Sequence, residues 1–170
     1  MATSTPSTAV RERAGKYLTF TLAEEEYGLE ILKVREIIGM MDITAVPRTP
    51  GFVKGVINLR GKVIPVIDLR LKFNMSEAER TEQTCIIVVD VGHVEMGIIV
   101  DKVSEVLNIA GTDIEDTPSF GVSVDTAFLL GVGKTGDRVK LLLDIDKTIS
   151  SKDIESLRQA AGDKDKAENQ

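Results

Sequence analysis

The feature that most constrains the fold of this chain is an internal repeat. Residues 28–38 match residues 97–107 at an offset of 69, with Gly, Lys, Val and Glu identical in both segments. A second match, at an offset of 76, aligns residues 55–68 with residues 131–144, and in both segments Gly-Val comes first and Asp last. Because the two matches are collinear, the chain carries two copies of one unit.

Each copy has the pattern of a small β protein. Its apolar residues come in short runs, rich in Val and Ile and separated by Gly, Pro, Asp or Asn, which is typical of strands. The predicted strands are 17–22, 27–31, 34–38, 56–59 and 63–67 in the first copy and 85–91, 94–100, 103–109, 128–132 and 139–145 in the second. Five short strands bury their apolar side chains best when the sheet curls into a barrel. The predicted fold is mainly β, with two five-stranded barrels on a shared core.

The repeat also sets the predicted domain bounds. The barrel domain is expected at 16–150, divided roughly into 16–82 and 83–150, with the ends free to cross from one unit to the other. The residues near Thr49–Val53 are predicted to form a short helical turn. Disordered polar tails are predicted at 1–15 and 161–170, because neither segment has apolar periodicity.

A C-terminal helix is predicted at 151–160. Ile154 and Leu157 lie one helical turn apart there, behind a Ser/Asp start that is typical of a helix N-terminus. We expect this helix to pack across the barrels.

Charge and cysteine content narrow the partners and the compartment. The 170 residues include 21 basic and 27 acidic side chains, and the resulting charge of −6 repels nucleic acid and anionic lipid. A single cysteine excludes an internal disulfide, which fits a reducing compartment. No apolar run is long enough to span a membrane or to serve as a signal peptide. The sequence therefore predicts a cytoplasmic protein without membrane insertion or nucleic-acid partners.

The sequence offers little material for an active site. His93 lies between two strands beside Gly92 and is interpreted as a turn residue in solvent, and Cys85 opens an apolar strand and is interpreted as a buried small hydrophobe. The run Gly131–Gly136 resembles a phosphate-binding loop only superficially, because Phe128 stands where that loop needs a glycine. We predict no catalytic residue, metal or cofactor. A ligand-binding or hydrolytic barrel is the alternative, and it would require a polar pocket with titratable groups.

Two polar residues stand out because one is repeated in the second copy and the other is not. Glu36 is repeated as Glu105, whereas Arg60 is replaced by Gly136. An arginine that the barrel itself required should recur, so Arg60 is expected to serve a task of the first copy alone. The alternative is a solvated charge on a turn. If Glu36 pairs with Arg60 at the surface, the pair adds little stability, and positioning a binding surface is the better reason for it.

The run Ile57–Gly61, followed by Pro65–Arg70, is close to a family signature, and Gly136–Arg138 adds to it in the second half. Through these residues, and from 17 to 149 as a whole, the chain resembles the CheW family of coupling proteins in bacterial chemotaxis. The resemblance implies two SH3-like barrels and a non-enzymatic adaptor that links the cytoplasmic tips of methyl-accepting chemoreceptors to the regulatory domain of the histidine kinase CheA. Such a protein is cytoplasmic and is recruited to receptor arrays at the membrane.

The resemblance also implies binding sites. A receptor helix is expected in a groove between the barrels, and the kinase at the strand ends of each barrel. Phe120 is the candidate for a kinase or ring contact, and its alternative is a loop residue that packs on the core. The residues expected to line the receptor groove are Val34, Glu36, Gly55, Arg60, Val106 and Gly131. A CheW-like adaptor of another two-component pathway remains the alternative function.

Overall fold

The structure is a computed structural model that describes residues 14–116, 128–150 and 152–157. These residues form eleven strands, three short helices and two 3-10 turns, at Ile31–Lys33 and Gly111–Asp113. The strands are β1 (Gly15–Leu22), β2 (Glu25–Glu30), β3 (Val34–Gly39), β4 (Val53–Leu59), β5 (Lys62–Asp68), β6 (Cys85–Val91), β7 (Val94–Val100), β8 (Lys102–Ile109), β9 (Ile114–Glu115), β10 (Leu129–Thr135) and β11 (Arg138–Leu143). The helices are α1 (Leu69–Lys72), α2 (Ile145–Thr148) and α3 (152–157).

The predicted mainly β fold is confirmed, and all ten predicted strands are present. The short strand β9 was not predicted. The turn expected before β4 is also present, where the amide of Val53 donates to the carbonyl of Pro50. Phe120 and most of the predicted tails lie outside the described residues, and β1 already begins at Gly15.

The strands form two sheets, and each sheet contains strands of both copies. The first sheet has the order β8-β1-β2-β11-β10-β9, and the second sheet has the order β3-β6-β7-β5-β4. The opening hairpin of each copy therefore joins the last three long strands of the other copy. The junctions are the parallel pairs β2–β11 and β5–β7 and the antiparallel pairs β1–β8 and β3–β6. Each sheet thus contains strands from both sides of residue 82.

Because side chains alternate along the strands, they contribute to three apolar cores. In β1, Leu18 and Phe20 point into a core shared by both sheets, whereas Tyr17 points into a core made by the first sheet alone. In β6, Ile87 lies in the shared core and Ile86 in a core of the second sheet alone. Successive strand residues face opposite sides of a sheet, so each sheet is buried on both faces.

Both sheets curl on themselves. The core of the second sheet joins Ile57 on β4 to Ile38 on β3, although β3 and β4 are the two ends of that sheet. The core of the first sheet likewise joins Ile109 on β8 to Ile114 on β9, the opposite ends of its order. This arrangement is consistent with two SH3-like barrels packed on a shared core.

Residues at equivalent positions of the two copies have the same structural roles. Gly28 and Gly97 each face the core of their own sheet, where an added Cβ would lie 2.9 Å from Leu142 and 2.6 Å from Ile86, respectively. Asp68 ends β5 and Asp144 follows β11, and their carboxylates accept hydrogen bonds from the first-turn amides of α1 and α2. Such side-chain caps satisfy the open amides of a helix start. The repeat seen in the sequence is therefore a repeat of packing and capping.

Helix α3 is fixed to the barrels by one charged and two apolar contacts. Lys72 donates to Asp153 at 2.9 Å, and both side chains are about 15% exposed. Leu157 is buried in the shared core and Ile154 packs against it. The helix lies where it was predicted, and it spans at least residues 152–157.

Candidate binding surface on the two bulged strands

The candidate surface starts from a β-bulge that both copies contain. In β3 the pairing with β6 shifts by one residue between Val34 and Glu36, and in β8 the pairing with β1 shifts opposite Thr19. The two shifts lie at equivalent positions at the offset of 69. A bulge places two residues of one strand opposite one of its partner and so reverses which side chains face inward.

The reversal is visible in the packing. Val34 contacts the shared core, but Ile38, four residues later, contacts the core of the second sheet. On β8, Val103 contacts the shared core and Leu107 the core of the first sheet. Without a bulge, residues four apart on a strand would face the same side.

The bulges leave one apolar side chain of each strand in solvent. Ile37 is 44% exposed and Val106 is 49% exposed, and the offset of 69 makes them equivalent. Val106 was predicted as a binding residue, and Ile37 was not. The internal repeat could have identified Ile37, since the offset of 69 aligns it with Val106. Large apolar side chains held in solvent at repeated positions are candidate anchors for a partner.

On the second sheet this strand carries an ion pair. Arg60 occupies the two-residue turn between β4 and β5 and contacts the carboxylate of Glu36 on β3. The hydrogen bond to Glu36 raises the pKa of the Arg60 guanidinium above its ordinary value. Glu36 and Arg60 therefore pair at the surface, and 69% of the Arg60 side chain remains exposed.

The backbone at Arg60 is unusual for an arginine. Its φ is +53°, in the left-handed region, and Gly61 follows at +86°. The Asn58 side chain accepts a hydrogen bond of 2.8 Å from the Gly61 amide and supports the turn. Two-residue turns of this kind favour Asn or Gly at the first position. The equivalent position on the β10–β11 turn is Gly136, with φ +62°.

The equivalent glutamate, Glu105, is held in another way. Within the described residues its carboxylate has no ion pair, and its backbone is bound by the side chain of Thr19 on β1. The two sheets therefore share the bulge and the exposed apolar residue, and they differ in what holds the glutamate.

The two predicted groove glycines lie inside the protein. Gly55 and Gly131 are buried at equivalent bulges, in the β4–β5 and β10–β11 pairs. Gly55 has φ +142°, and an added Cβ would lie 2.0 Å from the carbonyl oxygen of Thr44. The fold itself therefore requires a glycine at 55.

Of the predicted groove residues, the structure brings Glu36 and Arg60 into contact and places Val34 two residues before Glu36 on the same strand. Val34 is half-buried against the shared core. Val106 lies on the other sheet, at its β8 edge.

The described residues contain no group of three or more His, Cys, Asp or Glu side chains that could hold a metal ion. Cys85 is half-buried, and burial raises the pKa of its thiol. Lys134 lies within strand β10 and pairs with Glu115 at 2.6 Å, so the glycine-rich run around it is a strand and not a phosphate-binding loop. No helix in the described part of the chain is long and apolar enough to cross a membrane.

Comparison with known proteins adds independent information. Residues 16–153 match the family model of the CheW-like domain. The chain is 43% identical to "Chemotaxis protein CheW" of Klebsiella aerogenes over 89% of this chain and 92% of that protein. It is 34% identical to "Chemotaxis protein CheW" of Bacillus subtilis over 88% of this chain and 96% of that protein. Among solved structures, it is similar to the scaffolding protein TtCheW of Thermoanaerobacter tengcongensis, with a TM-score of 0.75 and 38% identity over 82% of this chain and 95% of that chain.

Proposed function

The chain belongs to the CheW-like domain family, and on this basis we propose that it is a non-enzymatic scaffold that couples chemoreceptors to a histidine kinase in chemotaxis. The proposed partners are the cytoplasmic tips of methyl-accepting receptors and the regulatory domain of CheA. The proposed location is the cytoplasm, at receptor arrays. The names of the relatives, which are chemotaxis proteins and a scaffolding protein, support this function over an adaptor of another pathway.

The observation that carries the proposal is the Glu36–Arg60 pair beside Ile37. A solvent-exposed ion pair adds little to folding stability. Arg60 also adopts a backbone conformation that an arginine enters at a cost, and the second copy has a glycine there. Since neither the pair nor the turn benefits the fold, we infer that Arg60 is retained for binding.

We propose that the partner bound by these residues is a helix. Helical partners dock through apolar anchors spaced along one face, with a few charges that set the register. We propose that Ile37, Val106 and the exposed part of Val34 act as anchors, while Glu36 and Arg60 set the register. Gly55 and Gly131 would shape the strands beneath the surface instead of touching the helix. Phe120 stays the predicted contact for the kinase.

The test is charge reversal, Arg60→Glu, in a purified assay of receptor-coupled CheA activity. We expect the variant to fold, because Arg60 is exposed, and to lose coupling, because two carboxylates would then repel each other at the surface. The matched control is Lys134→Glu, which reverses an exposed, ion-paired lysine of the equivalent hairpin in the first sheet. Equal loss of coupling in both variants, or normal coupling in Arg60→Glu, would contradict the proposal.

A further inference from the structure

Thr19 is a buried polar residue in the middle of β1. It is 1% exposed and lies opposite the β8 bulge, because Leu18 pairs with Val106 and Phe20 with Val103. Its hydroxyl donates to the carbonyl of Glu105 at 2.8 Å and accepts from the amide of Glu105 at 3.1 Å. One side chain thus satisfies both backbone groups of the bulged residue.

The second sheet provides an internal comparison. The offset of 69 makes Val88 the equivalent of Thr19, and Val88 pairs with Glu36 at the β3 bulge. A valine has no hydroxyl, so nothing equivalent to the Thr19 contacts can form there. The bulge therefore forms without a hydroxyl on the second sheet, where the equivalent buried position is a valine. What the hydroxyl adds is a hold on Glu105.

From this comparison we propose that Thr19 is a positioning residue that fixes the β8 side of the binding surface. The inference rests on the proposed function. On the second sheet, Arg60 holds Glu36 from the solvent side. On the first sheet, Thr19 holds the backbone of Glu105 from beneath, and Val106 is the next residue along the strand. Fixing Glu105 restricts the position of Val106, which the bulge turns outward.

The physical basis is the cost of leaving backbone groups unpaired. The Thr19 contacts to the amide and carbonyl of Glu105 are part-buried, so their loss costs free energy and leaves the register of this segment less strictly fixed. Without the hydroxyl, the segment Glu105–Val106 would sample more than one arrangement. A partner that needs Val106 in one place would then bind less tightly, although it never touches Thr19.

The test compares Thr19→Val with Thr19→Ser in the full chain. The probe is a helical fragment of a methyl-accepting receptor tip, titrated against each variant, and amide hydrogen exchange is measured at Glu105. For Thr19→Val we expect a roughly fivefold weaker affinity, the effect of one ordinary hydrogen bond, and about tenfold faster exchange at Glu105. Thr19→Ser keeps the hydroxyl and should behave as the unmodified chain. Thr49→Val is the matched control, since it removes a threonine hydroxyl that donates to the Val46 carbonyl at 2.9 Å.

Each other outcome has a defined meaning. Unchanged affinity in Thr19→Val, beside normal binding by the unmodified chain, would overturn the role of Thr19 alone. So would equal weakening by Thr19→Ser, or weakening without faster exchange at Glu105. Failure of Thr19→Val to fold would also contradict the account, which predicts tolerance from Val88. If the unmodified chain does not bind the fragment, the proposed function fails, and the inference fails with it.

Discussion

The β4–β5 hairpin turns through Arg60 and Gly61, whereas the equivalent β10–β11 hairpin turns through Gly136 and Asp137. Beneath these turns the two copies are closely alike, with a bulge at Gly55 in one and Gly131 in the other. Both copies also use an aspartate to cap the helix that follows. The difference between the turns teaches that the repeated unit fixes the buried framework and leaves the exposed turn free to acquire a function.

The two copies also differ in the charges of an equivalent salt bridge. Arg70 on α1 forms two hydrogen bonds with Asp101 after β7, one of 2.8 Å to its Oδ1 atom and one of 2.5 Å to its Oδ2 atom. Asp146 on α2 is the equivalent of Arg70, and it pairs at 2.8 Å with Lys33 after β2. The polarity of the bridge is thus reversed between the sheets. In both places the bridge joins one copy to the other, across the parallel strand pair.

The apolar pattern does not select this crossing, because both copies have the same alternation, whereas each bridge directly joins one copy to the other.

The largest effect on stability is expected at Gly55, which belongs to the buried framework and not to the binding surface. Gly55→Ala introduces a Cβ against the Thr44 carbonyl at a positive φ, and we expect a loss of about 3 kcal/mol or more in the free energy of unfolding. Urea denaturation measures it. The control is Gly39→Ala, where an added Cβ meets nothing within 4 Å. Equal stability of the two variants would mean that position 55 needs a glycine only for partner binding.

The next effect compares the two bridges. The Arg70 and Asp101 side chains are 19% and 27% exposed, and those of Lys33 and Asp146 are 34% and 49% exposed. We expect Arg70→Ala to cost about 1.5–3 kcal/mol of unfolding free energy, as for hydrogen bonds to charged groups. Lys33→Ala should cost less than about 1 kcal/mol. A larger loss of unfolding free energy for Lys33→Ala than for Arg70→Ala, measured by urea denaturation, would contradict this ranking of the two bridges.

Acidification sharpens the same comparison. The hydrogen bond from Arg70 lowers the pKa of Asp101 in the folded chain, against the opposing effect of burial. A lowered pKa contributes stability above the unfolded value of about 3.9, and this stability is lost as the pH falls through the folded value. The difference in unfolding free energy between the unmodified chain and Arg70→Ala should therefore shrink below about pH 4. A constant difference down to pH 2 would argue against the ion pair as its cause.

The smallest effect on stability is expected at Arg60. Arg60→Asn creates the Asn-Gly sequence that two-residue turns prefer, which offsets the loss of the Glu36 contact. We expect an unchanged or slightly higher urea midpoint, together with a roughly tenfold or greater loss of affinity for a receptor-tip fragment. A clear drop in the midpoint would show that Arg60 serves the fold, which would remove the contrast with Gly136.

Much of this fold could be predicted from the sequence, because an internal repeat can be detected without coordinates. The apolar runs predicted ten strands, and the offsets singled out Glu36 and Arg60. They could not show that β1 and β2 leave their own copy, since β6 and β7 have the same apolar alternation and fit either partner. The role of Gly55 depends on its φ and on the Thr44 carbonyl, neither of which has a sequence signal. Thr19 was missed because a lone hydroxyl in an apolar strand forms no pattern.

The most direct test of the central claim is a map of where a receptor helix binds. The claim is that two like barrels carry one specialised turn. The isotope-labelled full chain would be titrated with a receptor-tip fragment while backbone amide chemical shifts are followed. The largest shifts are predicted at β3, β8 and the turn of Arg60, with little change at Gly136 and Asp137. Shifts centred on the β10–β11 turn, or spread equally over both turns, would contradict it.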